Sequence, residues 1–214
     1  EIGSGAGRFT EILVKYCAKI CTIDLSEAIF YNVEKNNSKV SRIKGNYYDL
    51  KSKNKFDVVI CRGVLQHTPN PSKYLEKLFE FCKKDGIIIF DFYQMPKIGL
   101  LHPKYLIWRP IIKNFIKYEK LDLFLNNNIT LLLKIKRTIK KIFFNSNFFA
   151  DCFIPVYDYH KVLDLSSKQL EEWSILDTLD GMYAFYDKPK TNKSIVKLLN
   201  QIDKKIIKNK KNKN

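Results

Sequence analysis

Short apolar runs broken by polar, turn-forming residues dominate the first ninety positions. Lys19-Ile20-Cys21-Thr22-Ile23-Asp24 reads as a short strand ending in an acid. Val40 to Leu50 reads as a second strand running into a turn. At Phe56-Asp57-Val58-Val59-Ile60-Cys61 an acid is followed by an unbroken apolar run, the pattern of a strand buried on both faces of a parallel sheet. That run stops in a polar loop holding Pro69 and Pro71, and a helix is expected from about Ser72. Lys84-Asp85-Gly86 is a turn, and the apolar run from Ile87 is another buried strand. Beyond position 95 the period changes. Leu131 to Phe144 mixes apolar and basic residues at helical spacing. Asn192 to Ile202 is a predicted helix, and the run from Lys204 is too charged for a buried strand, so a disordered basic tail is expected there.

Ahead of the first run stands Glu1-Ile2-Gly3-Ser4-Gly5-Ala6-Gly7, leading into a helical pattern. Glycines at alternate positions allow a tight turn with φ > 0 and let a ligand lie against bare backbone. A helix starting there would direct its N–H groups and positive dipole end to the same place. Such a turn beside a strand is the nucleotide corner of a doubly wound α/β sheet. A nicotinamide fingerprint, G-x-G-x-x-G, would need glycine at position 8, where Arg8 stands. Asp24 follows the glycines by roughly 20 residues, where an acid accepts hydrogen bonds from ribose hydroxyls. Its rival role is to cap the next helix, beside Ser26.

An acid followed by G-x-G-x-G resembles the first motif of the class I S-adenosylmethionine-dependent methyltransferases. The segment from Phe56 to Pro71 resembles the small-molecule branch, of ubiquinone and menaquinone methyltransferase type. The resemblance covers residues 1 to about 93. It implies an α/β, Rossmann-like sheet with S-adenosylmethionine as cofactor. Glu1, Gly3, Ser4, Gly5 and Gly7 would hold its methionine and ribose part, Asp24 the ribose, and Leu25 would also belong to the cofactor site. Asn46 stands where the family usually carries Asp and would take the adenine amino group with its carbonyl. Tyr47 would cover the adenine face, or else pack in the core. Cys61 and Arg62 would pass near the cofactor, and His67 would face the substrate. His67 is the expected general base, since a free imidazole titrates near neutral pH. His102 and His160 are weaker candidates. Tyr183 and Tyr186 lie in a C-terminal stretch resembling that of some bacterial methyltransferases and are candidate substrate contacts.

Four segments are expected: a core at 1–93, a helical insertion at 94–160 on the substrate side, a C-terminal part of the methyltransferase domain at 161–203, and a tail at 204–214. The strand that should deliver the glycine turn is central to such a sheet. Its absence points to a fragment whose N-terminal strand and helix are missing. The expected reaction moves a methyl group to O, N or C of a small or lipid-linked metabolite. A catalytically degenerate cofactor-binding relative and an RNA methyltransferase are the alternatives.

The formal net charge of +16 invites a nucleic-acid reading. The excess is almost all lysine, however, and nucleic-acid readers favour arginine for bidentate contacts. A solvated lysine surface is the expectation. The basic, apolar stretch 131–144 either caps the active-site mouth or touches an anionic membrane. The five cysteines, at 17, 21, 61, 82 and 152, sit inside apolar patterns, which fits buried thiols in a reducing cytoplasm. Cys17 and Cys21 have no second pair at ligand spacing, so no metal is expected.

Overall fold

The computed structural model describes residues 1–51, 55–96 and 99–211, with side chains as far as residue 203. The chain divides into two compact units: a sheet unit of residues 1–95 and 186–214, and a helical unit of residues 96–185.

The sheet unit is built on parallel strands. β1 (Ile20–Asp24) pairs with β2 (Val40–Lys44), in register from Ile20 opposite Val40 to Asp24 opposite Lys44. β3 (Phe56–Cys61) pairs with β4 (Cys82–Phe90), from Val58 opposite Ile87 to Cys61 opposite Phe90. Phe56 lies opposite Cys82, so residues 83–86 bulge out of register. The Asp-Gly reversal expected at 84–86 is this bulge. Glycine is needed there because a Cβ on Gly86 would stand 2.7 Å from both Asp57 O and Cys82 Sγ.

Ile2 joins the two pairs. It bridges Ile23 on one side and Cys61 on the other, both in parallel sense. Ile2 N donates to Ile60 O at 2.7 Å and Gly3 N to Ile23 O at 2.7 Å. The spatial order is therefore β2, β1, Glu1–Gly3, β3, β4. Glu1 to Gly3 stand where the expected arrangement puts the end of a central strand. Before them, the facing edges of β1 and β3 enclose an apolar cavity of about 350 Å³ lined by Ile20, Val58 and Ile60.

α1 (Thr10–Leu13), in the helical pattern after the glycines, is a single turn. Thr10 is buried, whereas Ile12 and, just beyond the helix, Tyr16 are exposed, and so short a helix gains little against its nucleation cost. α2 (Pro71–Phe81) starts as expected: Asn70 Oδ1 accepts from Lys73 N at 3.2 Å, with Pro71 in the first turn. Its Leu75, Leu78 and Phe81 pack with Val59 and Cys61 of β3. The opposite sheet face is open: Val58, Ile87 and Ile89 are exposed, so β3 and β4 are not buried on both faces.

The helical unit comprises α3 (Arg109–Phe115), α4 (Tyr118–Ile142), α5 (Asn147–Phe153) and α6 (Ser167–Tyr183). Leu121, Leu125, Ile129 and Leu133, one helical turn apart, form the buried stripe of α4 and share a core with Ile175, Leu179 and Met182 of α6. Residues 161–185 therefore belong with the helices and not with the methyltransferase sheet. Their apolar positions complement α4, so this unit extends past 160 to 185. Within 131–144, Leu133 points into this core, whereas Leu131, Ile135 and Ile142 are exposed. Two basic side chains of the same stretch turn inward. Lys136 is buried on Asp151, which also lies 3.3 Å from His102 Nε2, and Arg137 grips Asp158 with two bonds of 2.8 Å.

α7 (Asn192–Lys211) returns to the sheet unit, where Ile202 is buried and Leu198 and Leu199 pack on the core. The helix runs through 204–211, so the expected disordered tail is helical over that span, and 212–214 lie outside the described residues. Among the described residues, no helix is long and apolar enough to cross a membrane.

Candidate functional site

The C-terminal ends of the parallel strands gather the loops that carry the candidate chemistry, the usual place for a ligand in an open α/β sheet. The glycine turn has left-handed backbone at Gly3, Gly5 and Gly7, with φ of 73°, 52° and 92°. The three glycines have different reasons. A Cβ on Gly3 would strike Val64, and one on Gly7 would enter the carboxamide of Asn32. A Cβ on Gly5 would meet nothing within 4 Å. Gly3 and Gly7 are thus demanded by packing, while the space beside Gly5 is open to a ligand.

Two acids hold the turn. Glu1 Oε2 accepts from Thr10 Oγ1 at 2.5 Å, while Glu1 Oε1 and Ser4 Oγ are buried with no partner among the described residues. Burial pushes the Glu1 carboxyl above the usual range, against the pull of the Thr10 hydroxyl. Asp24 ends β1, and its Oδ2 accepts from Gly5 N at 2.6 Å. Its Oδ1 accepts from Ser26 N at 2.8 Å and Ser26 Oγ at 2.7 Å. Oδ1 is then fully used, and Oδ2 keeps one lone pair for a further donor. Ser26 caps the 3-10 turn of Glu27–Tyr31. Asp24 and Ser26 therefore act together where the sequence offered them as rivals. Leu25 is exposed beside them.

Asn46 and Tyr47 are both tied to their neighbours. Asn46 Oδ1 accepts from Tyr48 N, and Nδ2 donates to Asp49 Oδ2 and to the Tyr74 hydroxyl. The carbonyl assigned to adenine already caps a turn and has one lone pair to give. Tyr47 is buried, its hydroxyl donating to Tyr74 O at 3.1 Å and its ring edge-on to Tyr74. Its ring packs in the core. Burial raises its phenol pKa. Tyr48, next in sequence, stacks on Tyr74 at 4.6 Å.

Cys61 is also core: fully buried, its thiol is pushed up to about 12, so it offers no thiolate and only its backbone lies at the site. Arg62 is exposed, with its guanidinium 5.1 Å from the centre of the Phe9 ring and Nε 3.3 Å from Asp91 Oδ2. Asp91 Oδ1 accepts from Gly63 N at 2.6 Å and fixes the loop after β3. Asp91, Phe9, Thr10 and Asn32 were missed in the sequence. Asp91 had a signal, being an acid just past an apolar run as Asp24 is. Asn32 had none, since its bond to Thr10 Oγ1 at 3.1 Å crosses 22 residues.

His67 closes the 3-10 turn of Leu65–His67. Its Nδ1 lies 2.9 Å from Tyr186 O, and its ring stands edge-on to Tyr93 at 5.3 Å. A carbonyl accepts only from N–H, so Nδ1 carries a proton, which in the neutral ring leaves the lone pair on Nε2. Tyr186 thus contributes its backbone, and Lys188 Nζ lies over its ring at 5.2 Å. Tyr183 belongs to the helical unit, where its hydroxyl donates to Ile116 O at 2.8 Å and its ring meets Tyr118. That is a packing role. His102 sits on Asp151 in the same unit, and burial lowers its pKa.

Residues 1–90 match a family described as a methyltransferase domain. The chain is 28% identical over 97 residues to the ubiquinone biosynthesis O-methyltransferase of Coxiella burnetii, covering 42% of this chain and 41% of that protein. It is 28% identical over 130 residues to the protein of the same name from Rickettsia bellii, covering 56% and 53%. The N-methyltransferase NodS of Bradyrhizobium japonicum, solved with S-adenosyl-L-homocysteine, overlays with a TM-score of 0.41 at 22% identity, over 44% of this chain and 50% of that one. The chain spans about half or less of the length of these relatives.

Proposed function

We propose that the chain, whose residues 1–90 match a methyltransferase domain, is a class I S-adenosylmethionine-dependent methyltransferase of small-molecule type and moves a methyl group to O, N or C of a small or lipid-linked metabolite. The observation that carries this is the glycine turn. Space is open beside Gly5, whose N–H is held at 2.6 Å by Asp24, and the buried Glu1 Oε1 and Ser4 Oγ still lack partners. These residues fit the cofactor: a cradle of bare glycine backbone with acceptors for hydroxyl and amino groups. When bound, it supplies an activated methyl on a sulfonium that is its own leaving group. The protein's work is then alignment. Gly3 to Gly7 and Glu1 would hold the amino-acid end, Asp24 Oδ2 a ribose hydroxyl with Leu25 beside it, and the remaining lone pair of Asn46 Oδ1 the adenine amino group. The reading places the chain in the cytoplasm, peripheral to the membrane where the acceptor is lipid-linked. Calorimetric titration with S-adenosylhomocysteine is expected to give micromolar affinity, and with NAD no heat. A folded chain that ignores S-adenosylhomocysteine overturns the reading.

His67 would take the acceptor's proton on Nε2 where the nucleophile must lose one. Its Nδ1 bond to Tyr186 O sets the tautomer this requires. His67→Gln is expected to bind S-adenosylhomocysteine within about twofold of the wild type and to lose about 100-fold in transfer rate, the usual size of a general-base contribution. Transfer at the wild-type rate would assign His67 to holding the 186 segment.

A further inference from the structure

The chain leaves α4 through a turn that holds an aromatic side chain out in water. Phe144 and Asn145 both have left-handed backbone, with φ of 53° and 59°, a conformation that strains residues other than glycine. The turn leaves Phe144 98% exposed. Phe143 stacks on Phe149 with centroids at 5.2 Å and on Phe153 at 6.3 Å, and Phe148 meets Phe149 edge-on at 5.5 Å. Phe148, Phe149 and Phe153 are exposed as well. Phe143, Phe148, Phe149 and Phe153 form one connected aromatic cluster, and Ile142 and Phe144 are exposed beside it where α4 turns into α5, so several large apolar side chains face solvent together.

The charge around the patch is mostly of one sign. Residues 134–153 hold five basic side chains and one acid, Asp151, which pairs with Lys136 and lies 3.3 Å from His102 Nε2. Lys136 and Arg137 are engaged by Asp151 and Asp158, which leaves Lys134, Lys140 and Lys141 as the cations of the outer rim. A second copy of the chain is a poor occupant. Twofold pairing of the patch on itself would set lysines against lysines. An apolar, aromatic tip rimmed by lysines matches instead the boundary between anionic headgroups and acyl chains.

We propose that the α4–α5 corner docks the protein on an anionic bilayer, with Phe144 and Phe149 entering the acyl boundary and Lys140 and Lys141 meeting lipid phosphates. This gives a lipid-linked acceptor its route to the enzyme, and only that purpose rests on the methyltransferase reading. The test is co-sedimentation of the full chain with phosphatidylcholine vesicles, with and without phosphatidylglycerol. Binding is expected with phosphatidylglycerol and is expected to fall about tenfold or more without it. Phe144→Ser should weaken it severalfold, and Phe144→Ser with Phe149→Ser about tenfold. The single variant alters a fully exposed side chain, so it tests the idea even where the double variant fails to fold. Equal binding without the anionic lipid, undiminished binding by Phe144→Ser, or no binding at all overturns the proposal. So does a dimer in gel filtration that Phe144→Ser dissociates. Titration of the same samples with S-adenosylhomocysteine separates the two readings. Vesicle binding without cofactor binding would sink the methyltransferase reading alone, and the reverse would sink the membrane surface alone.

Discussion

Asp24→Ala is expected to lower the affinity for S-adenosylhomocysteine by about 100-fold while leaving the fold in place. The carboxylate does two things at once. Oδ2 holds Gly5 N at 2.6 Å and keeps one lone pair for a ribose hydroxyl, and Oδ1 holds the Ser26 turn that follows β1. Hydrogen bonds to a charged group contribute about 1.5–3 kcal/mol each. Losing the ribose bond and the tether on the glycine turn together comes to about 3 kcal/mol, or roughly two decades in Kd. Asp24 is only half-buried at the end of its strand, so its removal leaves no buried charge stranded. Asp24→Asn keeps one acceptor and should lose about tenfold. Calorimetry on both variants, with circular dichroism to confirm the fold, makes the measurement. Wild-type affinity in Asp24→Ala would reduce Asp24 to a partner of Ser26 and move the ribose elsewhere.

The strands and the acids at their ends were legible in the sequence because both signals are local. A run such as Ile20 to Ile23 closed by Asp24, or Val58 to Cys61 closed by a polar loop, carries its own boundary. Side-chain direction was less legible. Tyr47 and Tyr48 are neighbours of the same type, and the choice of which enters the core is made by Tyr74 on α2, which takes the Tyr47 hydroxyl on its carbonyl and stacks Tyr48 on its ring. Cys61 could have been placed from the strand's period of two, since Val59 and Cys61 share the buried face. The helical unit was read too short for a different reason. α6 packs with its polar Ser174 and Thr178 fully buried, their hydroxyls bonded back to Leu170 O and Ser174 O. That satisfaction is invisible as apolar periodicity. The glycine turn itself was legible as a turn, but its three glycines looked alike.

Their difference yields the sharper experiment. Gly7→Ala is expected to destabilise the protein by about 3 kcal/mol or more, or to prevent folding. Its φ of 92° lies beyond the left-handed well that alanine tolerates, and the new methyl would enter the carboxamide of Asn32. Asn32 cannot yield, being fully buried and bonded to Thr10 Oγ1 at 3.1 Å and to Glu34 N at 2.9 Å. Gly5→Ala differs in both respects. Its φ of 52° is inside the left-handed well, at a cost of about 1–2 kcal/mol, and its methyl meets no protein atom within 4 Å. The variant should fold and melt several degrees lower. Its methyl would stand in the space through which a cofactor must approach the backbone, so affinity for S-adenosylhomocysteine is expected to fall at least tenfold. Thermal unfolding and calorimetry on the pair separate the two kinds of glycine. A folded Gly5→Ala that binds as tightly as the wild type would mean that the ligand does not cross Gly5. A Gly7→Ala as stable as the wild type would mean that Asn32 is not fixed where its bonds to Thr10 and Glu34 put it.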